Sequence, residues 1–203
     1  MTPLLVTLTF CAAGAALAVI ASLTAEPIAA AEYENKMRAV RTVLPEFDDS
    51  LLQTLTLGGE DERREVFVAR DAAGDLVGIA IPSASRNGYG GELQVMVGIV
   101  PDGDGYLVNR IETIRHTETP GLGTKVTAGP TFLAQFEGVS YDNFTFAVSK
   151  DDPGQPGKPP VDGVTGATIS SRAVTEAVRA GFDFVLNNID SILSAEGDGG
   201  GGL

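Results

Sequence analysis

The run Asp162-Gly163-Val164-Thr165-Gly166-Ala167-Thr168-Ile169-Ser170-Ser171 gathers small residues and hydroxyls just ahead of a long apolar-periodic segment. A loop entering a helix in this way presents unpaired backbone N–H groups and partial positive charge, which together accept an anion such as phosphate. Gly166 and Ala167 let the backbone come close to a ligand, and Thr165, Thr168, Ser170 and Ser171 supply hydroxyls. The same residues also read as an ordinary N-cap, in which Thr168 or Ser170 satisfies the first helical amides. A second stretch, Arg115-His116-Thr117-Glu118-Thr119-Pro120-Gly121-Leu122-Gly123, builds a rigid Pro–Gly turn with exposed backbone groups. Its plainer reading is a turn that ends a strand. Gly88-Tyr89-Gly90-Gly91 is a third glycine-rich bend, with Tyr89 read as packing. Lys125 reads equally as a charge partner or as a solvated side chain.

Other chemistries lack their residues. One cysteine, Cys11, and one histidine, His116, leave no intramolecular disulfide and no His/Cys zinc site. A net charge of -13 opposes a nucleic-acid partner. The absence of tryptophan argues against an aromatic groove for sugars or single strands. No G-x-G-x-x-G follows a strand, so a nicotinamide fingerprint is missing.

The elements that must position these loops follow from patterning. Residues 4–23 carry no charge and match the roughly 20 residues that cross a bilayer core; their Gly and Ala content suits helix packing in lipid. A retained anchor over 1–25 is expected, in preference to a signal peptide, because no basic region precedes the apolar run. Lys36, Arg38 and Arg41 follow the span, and the positive-inside rule taken literally puts the large domain in the cytoplasm. A start codon placed too late, with a short basic leader missing, resolves this, and N-terminal sequencing of the native protein tests it. Tyr33, Met37, Val40 and Leu44 make 26–45 an amphipathic juxtamembrane helix that Pro45 ends.

Residues 46–194 form the main domain, of which 46–65 read as polar and mixed. Residues 66–70 and 76–82 read as a hairpin, 93–100 and 106–115 as strands about a 102–105 turn, and 143–149 as a short strand. Residues 131–136 read as a short helix and the proline-rich 150–161 as an exposed loop. Val174, Ala177, Val178, Gly181, Phe182, Val185, Ile189 and Ile192 stripe a long helix from about Ser170 to Leu193. The tail 195–203, EGDGGGGL after Ala195, has no reason to order. The fold class is α+β: an antiparallel sheet with packed helices, preceded by one N-terminal transmembrane helix.

Residues 162–168 resemble the flavinylation motif D-x-x-[ST]-G-A-T of the FMN-binding domain family, with no departure inside the motif. Residues 116–123 resemble that family's H-x-E-T-P-G-L-G loop, and 88–91 its G-Y-x-G run before a strand. The family includes the G subunit of the Rnf ion-pumping complex and the C subunit of the sodium-pumping NADH:quinone oxidoreductase. The single span and the juxtamembrane stretch 23–30 are similar to the Rnf branch, so the resemblance covers nearly all of residues 4–194.

The resemblance implies covalent FMN, held by a phosphoester to Thr168 and installed from FAD with Mg²⁺ by a dedicated flavin transferase. Asp162 is then the acidic residue that opens the motif, Thr165 fills its Ser/Thr slot, and Gly166 and Ala167 match directly. Ser170 and Ser171 follow at the helix start. Glu118, Thr119, Leu122 and Gly123 line the flavin pocket by resemblance, and His116 is a candidate neighbour. The implied function is electron relay in an inner-membrane Rnf-type complex that couples ferredoxin and NAD⁺ to sodium or proton movement. The domain would be extracytoplasmic, beside the other membrane and peripheral subunits. The C subunit of the sodium pump and a stand-alone anchored FMN protein remain the alternatives within the family. A non-redox anchored scaffold, with TGATISS only a helix cap, is the reading from another class.

Overall fold

A computed structural model describes residues 2–59 and 63–195 of the 203-residue chain. The chain divides at Arg38 into two compact units. The first lies on one helix, α1 (Thr2–Val43), with Pro27 inside it. Its stretch Phe10–Val43 is long and apolar enough to cross a membrane. Phe10, Leu17, Ile20 and Leu23 are more than half exposed, a waste of apolar surface in water that lipid or other membrane helices would cover. The span and the amphipathic segment thus run on as one helix, since Pro27 removes one donor without ending it.

The second unit is built on a five-stranded antiparallel meander, β1 (Leu52–Leu57), β2 (Arg64–Arg70), β3 (Leu76–Gly88), β4 (Gly91–Asp102) and β5 (Gly105–Arg115), in that spatial order. Alternation decides which face is which. Val66, Val68, Ile79, Ile81, Val95, Val97 and Ile99 form one fully buried face of the core. Phe67, Ala69, Ala80 and Met96 are buried on the other. Gly78 and Gly98 lie on that second face, where a Cβ would strike Leu44 and Val43. Small residues therefore let the end of α1 lie against the sheet, and Asn109 Nδ2 donates to the Val43 carbonyl at 2.7 Å to cap it.

The first face is covered by α4 (Thr168–Asn187), which packs on β3 and β4. Val174, Ala177, Val178, Phe182 and Val185 are at most 1% exposed, as the apolar stripe requires. Gly181 brings the helix close, because a Cβ there would lie 3.1 Å from the Ser83 side chain. The helix does not reach Leu193 unbroken: it stops at Asn188, and α5 (Ile189–Ser194) restarts it. Asn188 Nδ2 turns back to the Phe184 carbonyl at 2.8 Å.

Between sheet and helix run α2 (Thr124–Thr127), α3 (Pro130–Leu133) and a parallel pair, β6 (Thr145–Val148) and β7 (Pro160–Val161). Phe136, Phe144, Phe146 and Phe182 interlock ring to ring beneath them. Two sequence expectations need correction. Residues 52–57, inside a stretch read as polar and mixed, are an edge strand whose partly buried Leu55 and Leu57 pack on the core. The proline-rich 150–161 loop ends in β7, where Val161 is fully buried and its carbonyl accepts from Ser149 N at 2.9 Å. Proline at the start of a strand costs no ladder donor that an edge position would have used. Of the 195–203 tail, residues 196–203 lie outside the described residues.

Candidate functional site

The β3–β4 turn, the loop after β5 and the start of α4 meet around a cleft of about 490 Å³. Each is placed for a local reason. The turn at 88–91 lies so closely against the strand-exit backbone of Thr117 and Glu118 that a Cβ on Gly90 has no room, and a Cβ on Gly88 would meet the Gly91 carbonyl and the Glu118 carboxylate. Thr117 Oγ1 donates to the Gly90 carbonyl at 2.6 Å. The 119–123 turn closes on itself through Gly123 N to the Thr119 carbonyl at 3.0 Å, with Gly121 at φ 80°. A Cβ on Gly123 would lie 2.5 Å from Glu118 Oε2, so this position also excludes larger residues.

Glu118 is 5% exposed and joins all three segments. One carboxylate oxygen accepts from Ser170 Oγ at 2.7 Å, the other from Gly90 N at 3.3 Å. A buried carboxylate needs such donors. His116 Nδ1 in turn accepts from Glu118 N at 3.3 Å.

The opposite wall is the entry to α4. Val164 to Ala167 is a β-turn closed at 2.9 Å, with Gly166 in third position at φ 83°, a place that asks for glycine. Ser171 is buried and braces the turn: its Oγ accepts from Val164 N at 3.1 Å and donates to the Ala167 carbonyl at 3.0 Å. The first helical bond of α4 is Ser171 N to the Ala167 carbonyl. The amides of Thr168, Ile169 and Ser170 precede it, and no side chain caps the N-cap residue Ala167. The N-cap reading of this run is therefore not what the fold adopts. Ser170 bonds Glu118, Ser171 braces the turn, and the Thr168 hydroxyl accepts from Lys150 Nζ at 3.2 Å. An open helix N-terminus beside an ammonium group is an anion site by geometry and charge.

Lys150 stands at the exit of β6. The next residue, Asp151, pairs with Arg172 on the second turn of α4 through two hydrogen bonds of 2.7 and 2.6 Å. The Arg172 guanidinium holds the Asp151 carboxyl below the usual carboxylate range, and the carboxylate in turn raises Arg172.

Eight of the sequence-derived residues therefore meet in one cleft: Glu118, Thr119, Leu122, Gly123, Gly166, Ala167, Thr168 and Ser170. Ser171 lies one step behind it. Thr165 and Asp162 are outside the lining; Asp162 is tied through its backbone to Gln135, at 2.7 and 3.2 Å. His116 points into a different hollow, beside Thr127 and Glu137. Lys125 is exposed elsewhere. Tyr89, read as packing, stands 70% exposed at the cleft, and Leu122 and Ile169 are each 47% exposed. Lys150 and Ile169 escaped the sequence reading. The only signal for Lys150 was its place at a strand end, because 17 residues separate it from Thr168 and no periodicity links them.

The cleft suits a flavin mononucleotide. Its volume falls in the range of cofactor sites. One end offers free amides and Lys150 to a phosphate, and Tyr89, Leu122 and Ile169 offer apolar surface to a flat ring. A profile of the FMN-binding domain matches residues 88–183. The G subunit of the ion-translocating oxidoreductase complex of Vibrio parahaemolyticus is 33% identical over 194 residues, covering 91% of this chain and 88% of that protein. The G subunit of the Na⁺-translocating ferredoxin:NAD⁺ oxidoreductase complex of Acetobacterium woodii is 28% identical, covering 86% of each chain. Among solved structures, the C subunit of the Na⁺-translocating NADH-quinone reductase from Parabacteroides distasonis matches with a TM-score of 0.49 at 20% identity, covering 77% of this chain and 81% of that one. The chain belongs to the FMN-binding domain family, with the G subunits of ion-translocating oxidoreductase complexes as its relatives.

Proposed function

We propose that this chain carries FMN as a phosphoester on Thr168 and relays electrons inside an Rnf-type complex that couples ferredoxin and NAD⁺ to ion transport. One observation carries the reading: the Thr168 hydroxyl lies in the same cleft wall as three free helix amides and Lys150, facing the 118–123 loop. The identity with these G subunits over most of the chain supports the complex. Bound flavin supplies one- and two-electron redox chemistry.

The residues supply binding and placement. The amides of Thr168, Ile169 and Ser170 would receive the phosphate oxygens, and Lys150 would balance their charge. Leu122, Ile169 and Tyr89 would shield a ring, while the 119–123 turn would present backbone groups to its polar edge. Glu118 keeps its carboxylate bound to Ser170 and Gly90 and so holds the two walls at fixed separation. No side chain need act as a nucleophile toward a diffusing substrate, and Thr168 serves as a tether. The apolar helix in 10–43 anchors the domain to the inner membrane, with the domain outside the cytoplasm, next to the other subunits of the complex. A flavin transferase would install the cofactor, with Asp162 exposed for it to read.

The test is intact mass of the chain co-expressed with a flavin transferase, with peptide mapping of the adduct to 162–172. One covalent FMN on the wild type, absent from Thr168→Val, is the expected result. A wild-type chain with no adduct and no flavin fluorescence on a denaturing gel would falsify the reading.

A further inference from the structure

Two threonines, Thr165 and Thr168, stand three residues apart in the same glycine-containing run. Thr165 is exposed and outside the cleft; Thr168 is half-buried in its wall. What distinguishes their hydroxyls chemically is Lys150. Its Nζ lies 3.2 Å from Thr168 Oγ1, and it is the only cation among the described residues lining the cleft.

The placement is built, since Lys150 is held from both sides. Upstream, Val148 is buried and Ser149 N bonds the Val161 carbonyl at 2.9 Å. Downstream, Asp151 N bonds the Val148 carbonyl at 2.8 Å, and its carboxylate grips Arg172 of α4. That fork joins the loop bearing Lys150 to the helix that begins at Thr168. Other nearby basic groups are engaged elsewhere: Lys158 Nζ donates to the Tyr141 carbonyl at 2.7 Å, and Arg172 to Asp151.

We propose that Lys150 is the positioning residue that selects and prepares Thr168 for flavin attachment, and afterwards neutralises the phosphodiester formed there. The inference rests on the phosphoester reading above. In the step, Thr168 Oγ1 bonds to the flavin-side phosphorus of flavin adenine dinucleotide. The bond from that phosphorus to the bridging oxygen breaks, AMP leaves with that oxygen, and the hydroxyl proton passes to a base in solvent. Lys150 stays protonated throughout. Its N–H occupies one lone pair of Oγ1 and fixes the rotamer, and its charge favours the developing oxyanion. A phosphodiester on Oγ1 then carries its negative charge within reach of the same ammonium group.

The experiment uses the full-length chain in detergent, expressed without a transferase, then mixed with flavin transferase, FAD and Mg²⁺. Initial rates of adduct formation are read by intact mass at varied acceptor concentration. Lys150→Met should lower the maximal rate at least about tenfold with little change in the half-saturating acceptor concentration. Lys150→Arg should return it to within about threefold, since charge and donor are kept. Lys150 is exposed, so both variants should melt with the wild type. A Lys150→Met chain modified at the wild-type rate overturns the proposal and leaves the phosphoester reading intact. So does a Lys150→Arg chain as slow as Lys150→Met. A wild-type chain that takes no flavin overturns both.

Discussion

The two walls of the cleft differ in how their polar groups are partnered. On the Glu118 wall the groups are matched: both carboxylate oxygens accept, Thr117 holds Gly90, and the glycines at 88, 90 and 123 leave no room for a side chain. On the Thr168 wall three amides at a helix start have no helical partner and no cap, and a lysine rests on a half-buried hydroxyl. Matched buried groups fix a shape, and removing one costs the desolvation of its partner. Unmatched amides at a cleft mouth stay open to an anion. In the proposed function the first wall therefore fixes the cleft's shape and faces the ring, and the second takes the phosphate.

Substitutions should separate these roles. The largest expected effect on flavin is from Thr168→Val: complete loss of the adduct, with a melting temperature near wild type, read by gel fluorescence and calorimetry. Glu118→Ala should act first on stability. It strands Ser170 Oγ and Gly90 N, costing about 1–3 kcal/mol, which is several degrees in Tm for a domain of this size. Slowed flavin attachment should then follow from a disordered wall, and stability measured by urea unfolding of the detergent-solubilised chain checks it. An unchanged Tm in Glu118→Ala would mean that the carboxylate does not hold the two walls together.

Two milder substitutions act on one wall only. Gly166→Ala places a Cβ at φ 83°, a strain of about 1–2 kcal/mol, with the nearest contact at an ordinary 3.5 Å to Leu122. It should shift urea stability by that amount and leave Thr168 competent. The smallest effect is at Asp151. Its folded-state carboxyl lies lower than in the unfolded chain because of Arg172. The fork is therefore intact at and above the ordinary carboxylate range and opens only as pH falls through the lowered value. Asp151→Asn should slow flavin attachment less than Lys150→Met without a measurable change in Tm, and the wild-type rate should not vary from loss of this pair between neutral pH and mild acid.

Much of the molecule was legible before folding was considered. The strands at 66–70, 76–82, 93–100 and 106–115 show as short runs rich in apolar and β-branched residues, near-continuous in the middle strands because both of their faces are buried. The helix stripe from Val174 to Val185 shows its period because one face of that helix must meet the sheet. β1 was not legible, because an edge strand with one face toward solvent mixes polar and apolar residues. β7 was hidden by Pro159 and Pro160, since prolines usually mark loops and here the second of them begins a two-residue strand. The break at Asn188 was hidden because Ile189 and Ile192 continue the apolar period across it.

The motifs at 88–91, 116–123 and 162–168 could be read from residue order alone, because backbone demands are local. A turn needs glycine where φ is positive, and a loop entering a helix needs small residues. Which of their side chains face one another could not. Glu118 meets Ser170 across 52 positions, and Lys150 meets Thr168 across a proline-rich loop, contacts set by the sheet's register and the parallel β6–β7 pair. Only the packed fold turns His116 away, leaves the first amides of α4 open, and sets one lysine on one threonine. Those are pairings between distant segments, fixed by the burial of apolar faces, of which linear spacing carries no trace.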